Sequence, residues 1–253
     1  MKTEESQSAA TVIVDRYRQA AEMEDAGANQ YKGLRIHALA GLHAFIGEMA
    51  SKYLIGAGHV LDLAAGSGAM SLRLRDLGFR VQATDYVETG FKLHGQIPFR
   101  QADLNTNFAM VFERGLDAVI ASEIIEHLEN PRHFAREAFQ LLRPGGRMLL
   151  STPNVDSMAS KTLFLTTGRF LWFGDQQYRS DGHITPMTQW QLEAALREAG
   201  FRTLAKNSFG TAIARLSGSP RLQLAARMLE RLFVRQAELN GEIFVIVVER
   251  PAN

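Results

Sequence analysis

The chain has 253 residues, 46% of them hydrophobic, and 28 Lys and Arg stand against 27 Asp and Glu, a formal net charge of +1. That length supports one sizeable core with small appended elements, and so even a charge gives no electrostatic basis for nucleic acid as a partner. There is no cysteine, which excludes disulfides, thiolate metal sites and cysteine nucleophiles.

The N-terminus, M-K-T-E-E-S-Q-S, is polar and acidic and lacks the basic start and apolar stretch of a signal peptide. No apolar run approaches the roughly 20 residues that span a bilayer, so the expectation is a cytoplasmic protein. Residues 1–10 read as disordered. Residues 11–55 read as an N-terminal helical segment or lid, because Leu39, Leu42, Phe45, Ile46, Met49 and Leu54 recur at three- and four-residue steps. From His59 the texture changes to short apolar runs alternating with helical stretches: 60–63 then 70–77, 80–84, 99–102, 118–121 then 131–142, and 147–151. Strand alternating with helix signals βαβ units and a parallel sheet. Residues 155–182 break this rhythm and read as a lid insertion in a domain spanning 56–253. A helix at 189–199, capped by Gly200, a strand from Phe201, a helix at 221–237 and a last strand at 243–248 complete the chain.

The strongest local signal is V-L-D-L-A-A-G-S-G at residues 60–68. An apolar strand runs into small residues and then a helix. Gly66 and Gly68 would let the backbone approach a ligand, and the helix N-terminus would point its N–H groups at it. Asp85 ends the next strand, where an acid suits ribose hydroxyls.

This segment, with Asp62, resembles the first motif of class I S-adenosylmethionine-dependent methyltransferases, D-x-G-x-G-x-G, with Ala64 where that family carries glycine. Asp85, followed by Tyr86, matches the family's ribose-binding acid. Asp103 in Q-A-D-L matches the acid that contacts the adenine amino group, with Leu104 beside the ring. Ser122 and Glu123 open S-E-I-I-E-H-L-E-N-P, which matches the motif after the fourth strand. L-L-R-P-G-G-R-M-L-L-S-T-P-N (141–154) matches the turn into the fifth. The resemblance covers about residues 55–250. It implies a Rossmann-like, seven-stranded, mostly parallel α/β sheet with helices on both faces and an antiparallel last strand, with S-adenosylmethionine as cofactor. A nicotinamide-binding dehydrogenase is the rival, but its fingerprint wants a third glycine where Ser71 stands.

A hydroxyl acceptor must lose its proton during methyl transfer, which calls for a base or a metal. Glu123, Glu126 and His127 have i, i+3, i+4 spacing and share one face if the segment is helical. His183 follows in D-G-H-I-T-P-M-T. Carboxylate and imidazole suit a divalent ion. The E-x-x-E-H pattern with a later histidine resembles two O-methyltransferase groups, acting on catechol-type ubiquinone precursors and on the terminal ribose of small RNAs. In both, the resemblance implies a divalent metal such as Mg2+, held here by Glu123, Glu126, His127 and His183. The alternative keeps His127 as a general base or packing residue without metal. His37, His43, His59, His94 and His133 have no partner in sequence and read as surface or packing residues.

Residues 155–182 interleave Phe164, Phe170, Trp172, Phe173 and Tyr178 with Lys161, Arg169 and Arg179. A long aromatic insertion suits a binding loop, and its texture resembles methyltransferases of bacterial glycan enzymes. Helix 221–237 sets Leu222, Leu224, Ala225, Met228, Leu229, Leu232 and Phe233 against Arg221, Arg227, Arg231 and Arg235. It would cover the sheet or form a homodimer contact, with a membrane surface as the alternative. The expected reaction is methyl transfer to a hydroxyl of a sugar, glycan or other small diol. A catechol or quinone precursor is the second acceptor reading. A cofactor-binding protein without turnover is the third reading, and Ala64 is its one hint.

Overall fold

The computed structural model describes residues 29–216 and 218–252. The disordered stretch expected at 1–10 and the helical reading of 11–28 lie outside them. Where description begins, the chain is not helical. Strands β1 (Gln30–Tyr31) and β2 (Leu34–Arg35) pair antiparallel. Lys32 and Gly33 turn the corner with φ of 50° and 83°, the two positive values that a tight two-residue hairpin requires. Tyr31 Oη and Lys32 Nζ both donate to Asp76 Oδ2 at 2.8 Å, which ties the hairpin down. The helical expectation for 11–55 holds from Leu42, where helix α1 (Leu42–Tyr53) carries the periodic residues and buries Leu42, Ile46, Met49 and Ala50. Glycines 33 and 41, both left-handed, break the pattern ahead of it.

The sheet then builds in chain order. β3 (His59–Leu63), α2 (Ala69–Asp76), β4 (Arg80–Asp85), β5 (Phe99–Gln101), β6 (Leu116–Ser122), α3 (Pro131–Leu141) and β7 (Leu142–Pro153) are followed by α4 (Met158–Thr167), α5 (Gln189–Glu198), β8 (Arg202–Phe209), α6 (Pro220–Phe233) and β9 (Ile243–Glu249). The seven strands lie in the order β5-β4-β3-β6-β7-β9-β8. The first five are mutually parallel, and β9 runs antiparallel to both β7 and β8. The expected sheet is the observed one.

Two apolar layers sandwich it. Val60, Ile120, Leu149 and Val245 face α1 and α2 on one side. Leu61, Val119, Leu150 and Ile246 face α3 and α5 on the other. Covered on both faces, β9 is buried at every residue, which is why its sequence is a continuous apolar run rather than an alternating one. β4 and β6 flank β3 on opposite sides, so the strand order reverses there. In open α/β sheets the ligand crevice lies beyond the carboxyl ends of the strands at such a point.

The helix expected at 221–237 ends at Phe233. Val234 turns extended at φ −80°, ψ 112°, and residues Ala237–Leu239 form a separate short turn.

Candidate functional site

β3 delivers the chain into a loop that opens the crevice. Ala64 takes φ 61° there, a left-handed conformation that costs a side-chain-bearing residue about 1 kcal/mol. Gly66 N donates to Asp85 Oδ2 at 2.8 Å, and Val87 N donates to Asp85 Oδ1 at 3.0 Å. One carboxylate therefore clamps the loops after β3 and β4 together. Burial raises the pKa of Asp85 against those backbone donors. Asp62 is buried deeper, with Ser71 Oγ donating to it at 2.5 Å. Desolvation pushes its carboxyl to about 7.

One cavity opens beyond these strand ends. Asp62, Ala64, Gly66, Asp85 and Tyr86 line it, and so do Asp103, Leu104, Ser122 and Glu123 on later loops. Of the residues expected to hold the cofactor, Gly68 alone is not in its wall. A Cβ there would come within 2.9 Å of Leu93 Cδ1 and Phe91 Cε2. Gly68 starts α2 with φ 93° where a side chain would strike Leu93 and Phe91. Asp103 Oδ1 also accepts from Asn105 N at 2.8 Å.

The sequence reading missed one wall. Arg35, His37 and His43 line the same cavity, so His37 and His43 are not mere packing or surface side chains. Ser67 Oγ donates to Arg35 O at 2.6 Å and brings the hairpin against the loop. Burial lowers the His43 pKa to about 4 and keeps it neutral. A hairpin 30 residues from the motif carries no local signal of this contact. By contrast, His94 packs edge-on against Phe91 and Phe99, and His133 Nε2 lies 2.8 Å from Thr106 O.

A second pocket adjoins the first. His37, Ala38, Glu123 and His127 line both. The second adds Glu126, Trp172, Asp181, His183 and Arg215. Arg215 had no sequence signal and arrives from the chain after β8.

The segment after β6 is not the helix its spacing suggested. Glu123 has φ 51° and Ile124 φ −131°, and a single short turn spans Ile125–His127. Glu123 therefore leaves the face shared by its neighbours. Ser151 Oγ donates to Glu123 Oε1 at 2.8 Å, under the cofactor cavity. Glu126, His127 and His183 do converge: each offers a ligand atom, and these lie within 4.8 Å of one another. The imidazole rings of His127 and His183 meet edge to face at 4.8 Å. His127 Nδ1 lies 3.2 Å from Gly182 O, and His183 Nδ1 2.7 Å from Trp172 O. For His183 that contact places the proton on Nδ1 and the lone pair on Nε2. Backbone carbonyls holding the second nitrogen are the usual support of a ligating histidine.

Glu126 is fully buried. Thr152 Oγ1 donates to its Oε2 at 3.0 Å, and Oε1 has no hydrogen-bond partner among the described residues. Burial, then the charge of Glu123, raises its pKa well above the carboxylate range. Burial, then His183, lowers the His127 pKa to about 3. Neutral imidazoles beside an orphaned carboxyl oxygen fit a bound divalent cation, whose charge would favour the ionised carboxylate. Three of the four expected donors gather; Glu123 stands apart.

Trp172 is held from behind. Its φ is 67°, and the Arg215 guanidinium sits 5.1 Å from its ring centroid. Arg215 in turn pairs with the buried Glu242 at 2.5 Å.

A strand-end cavity lined by Asp62, Asp85 and Asp103, which come from three successive strands or the loops after them, with a second pocket beside it, is an arrangement suited to a nucleoside-bearing ligand. The chain belongs to the methyltransferase domain family, whose model matches residues 31–206. Among curated relatives it is 34% identical over 103 residues to the ubiquinone biosynthesis O-methyltransferase of Xanthomonas oryzae pv. oryzae (strain PXO99A), covering 38% of this chain and 43% of the relative. The enzyme of the same name from Coxiella burnetii (strain Dugway 5J108-111) is 27% identical over 154 residues, covering 55% of this chain and 63% of that one. The chain thus matches between about two fifths and three fifths of the length of these relatives. A solved S-adenosylmethionine-dependent methyltransferase from Archaeoglobus fulgidus superimposes with a TM-score of 0.59 at 18% identity, covering 82% of this chain and 94% of that one. No helix among the described residues is long and apolar enough to cross a membrane.

Proposed function

We propose that this protein transfers the methyl group of S-adenosylmethionine to a hydroxyl oxygen of a diol-type acceptor seated between Trp172 and the Glu126, His127 and His183 cluster. The observation that carries this reading is the shared wall. Glu123 and His127 belong to both pockets, so a methyl group in one can meet an oxygen in the other. An in-line approach in a dry pocket supplies much of the acceleration, since the sulfonium already activates the methyl.

Glu126, His127 and His183 would hold a divalent cation, which when bound lowers the pKa of an acceptor hydroxyl. His183 is oriented by the Trp172 carbonyl and Glu126 by Thr152. Glu123, drawn to Ser151, closes the floor between cofactor and acceptor. Neighbouring hydroxyls that chelate suit this donor set better than an isolated one. The names of the relatives favour an aromatic diol. The sugar or glycan hydroxyl finds no support among them.

The test has two arms. Calorimetry should show binding of S-adenosylhomocysteine, and Asp85→Ala should weaken it at least tenfold, since a hydrogen-bonded buried carboxylate is lost. Turnover on a catechol probe should vanish after exhaustive chelation and return with added Mg2+, Mn2+ or Zn2+. Binding of NAD in place of the adenosyl compound would sink the cofactor assignment. Full activity in chelator would sink the cation and leave His127 as the base.

A further inference from the structure

The elements outside the sheet form a cap with its own small core. α4, the short turn Ala212–Leu216 and α6 bury Ala159, Ala212, Ile213, Leu216 and Ala226 together. The inner edge of this cap supplies Trp172 and Arg215 to the acceptor pocket. Its outer edge remains to be explained. Along α6, Leu224, Met228 and Leu232 are 62%, 57% and 71% exposed, and Phe233 is 67% exposed. A four-residue step places the first three on one stripe. The adjacent α4 adds Leu165, 77% exposed. Large apolar side chains grouped at this exposure mark an interaction surface.

The charges beside the stripe decide its partner. Arg221, Arg227 and Arg231 are exposed on the same helix, and Arg235 follows just beyond it. None of the four forms an ion pair with a described residue. The single acid of α6, Glu230, is turned aside and accepts a hydrogen bond from Asn240 Nδ2. The stripe and its flanks on α6 therefore offer apolar side chains and cations, and the nearest acids, Glu230 and the exposed Glu238, line a groove with Arg231 at the far end of the helix. A second copy packed stripe to stripe through a two-fold axis would set these arginines against themselves. An anionic surface satisfies both features at once.

We propose that the α6 face docks the protein on an anionic lipid surface, with Leu224, Met228 and Leu232 in the headgroup boundary and the arginines on lipid phosphates. The cap then holds the acceptor pocket next to the bilayer. Docking does not depend on methyl transfer, so the two readings fail separately.

The experiment is co-sedimentation of the full chain with vesicles of phosphatidylcholine, with and without about one third phosphatidylglycerol. The protein should sediment with the anionic vesicles and be released by salt. Arg231→Gln should weaken binding about fivefold, and Leu232→Glu at least tenfold. S-adenosylhomocysteine binding should be unchanged in both variants, which reports that they are folded. Equal binding to neutral and anionic vesicles, or no binding, overturns the proposal. So does undiminished binding of Leu232→Glu, or a dimer in light scattering that Leu232→Glu dissociates.

Discussion

Two side chains at the end of β3 and in the loop after it work against their surroundings. Ala64 adopts φ 61° at a place where glycine would sit without strain. Ala64→Gly trades that strain for a more flexible unfolded chain, and relief of the strain is the larger effect. The variant should be more stable in denaturant unfolding by roughly 0.5 kcal/mol, and its S-adenosylhomocysteine affinity should not fall. A loss of stability would show that the Ala64 methyl packs usefully.

Asp62 gives a pH signature. Its folded pKa, about 7, stands above the ordinary aspartate value of 3.8, with desolvation as the main cause. A raised carboxyl pKa means the folded state holds the proton more tightly. Its contribution to stability is therefore full below about pH 4 and is lost as pH rises through about 7. Glu123 and Glu126, also raised by burial, slope the same way. Asp62→Asn should flatten the fall of melting temperature between about pH 4 and pH 7 without abolishing it. An unchanged slope would mean that Asp62 stays ionised throughout.

At the scale of elements, the segment after β6 and the 155–182 insertion work as a pair. The first brings Glu126 and His127; the second brings Trp172, and His183 follows directly after it. Trp172 does not line the first cavity; it lines the second pocket and holds His183 through its backbone carbonyl. Trp172→Ala keeps the carbonyl that holds His183 and removes the ring that lines the second pocket; under the proposed function it should lower kcat about tenfold to a hundredfold through poorer positioning of the acceptor. Cofactor affinity should stay intact, and Trp172→Phe, which keeps a ring under Arg215, should restore part of the rate. Parallel loss of cofactor binding and melting temperature would make the segment structural.

The same elements show how far sequence patterns reach. The alternation of short apolar runs and helices foretold the sheet, because strands covered on both faces need continuous apolar residues. The spacing of Glu123, Glu126 and His127 foretold one helical face, and the positive φ of Glu123 defeats it. Periodicity assumes regular backbone, and strand-end turns are where that assumption fails. The hairpin at 30–35 was hidden for a related reason: its strands are two residues each, too short to show a period.

For the whole molecule, the sequence by itself determined the sheet, its order of construction, the methyl-donor fold and most of the cofactor cavity. Those features rest on local chemistry: small residues at a tight turn, acids at strand ends, apolar runs in buried strands. Tertiary structure alone decided the second pocket and the grouping around it. Arg35 reaches the cavity from a hairpin, His37 from the segment after it and His43 from α1, Arg215 reaches Trp172 from beyond β8, and Glu123 parts from Glu126. These juxtapositions depend on how separate elements cross in space, and a linear pattern carries no term for that. The arginine-lined face of α6 belongs to both: its amphipathic period is legible in the chain, and only the packed cap shows which side is left uncovered.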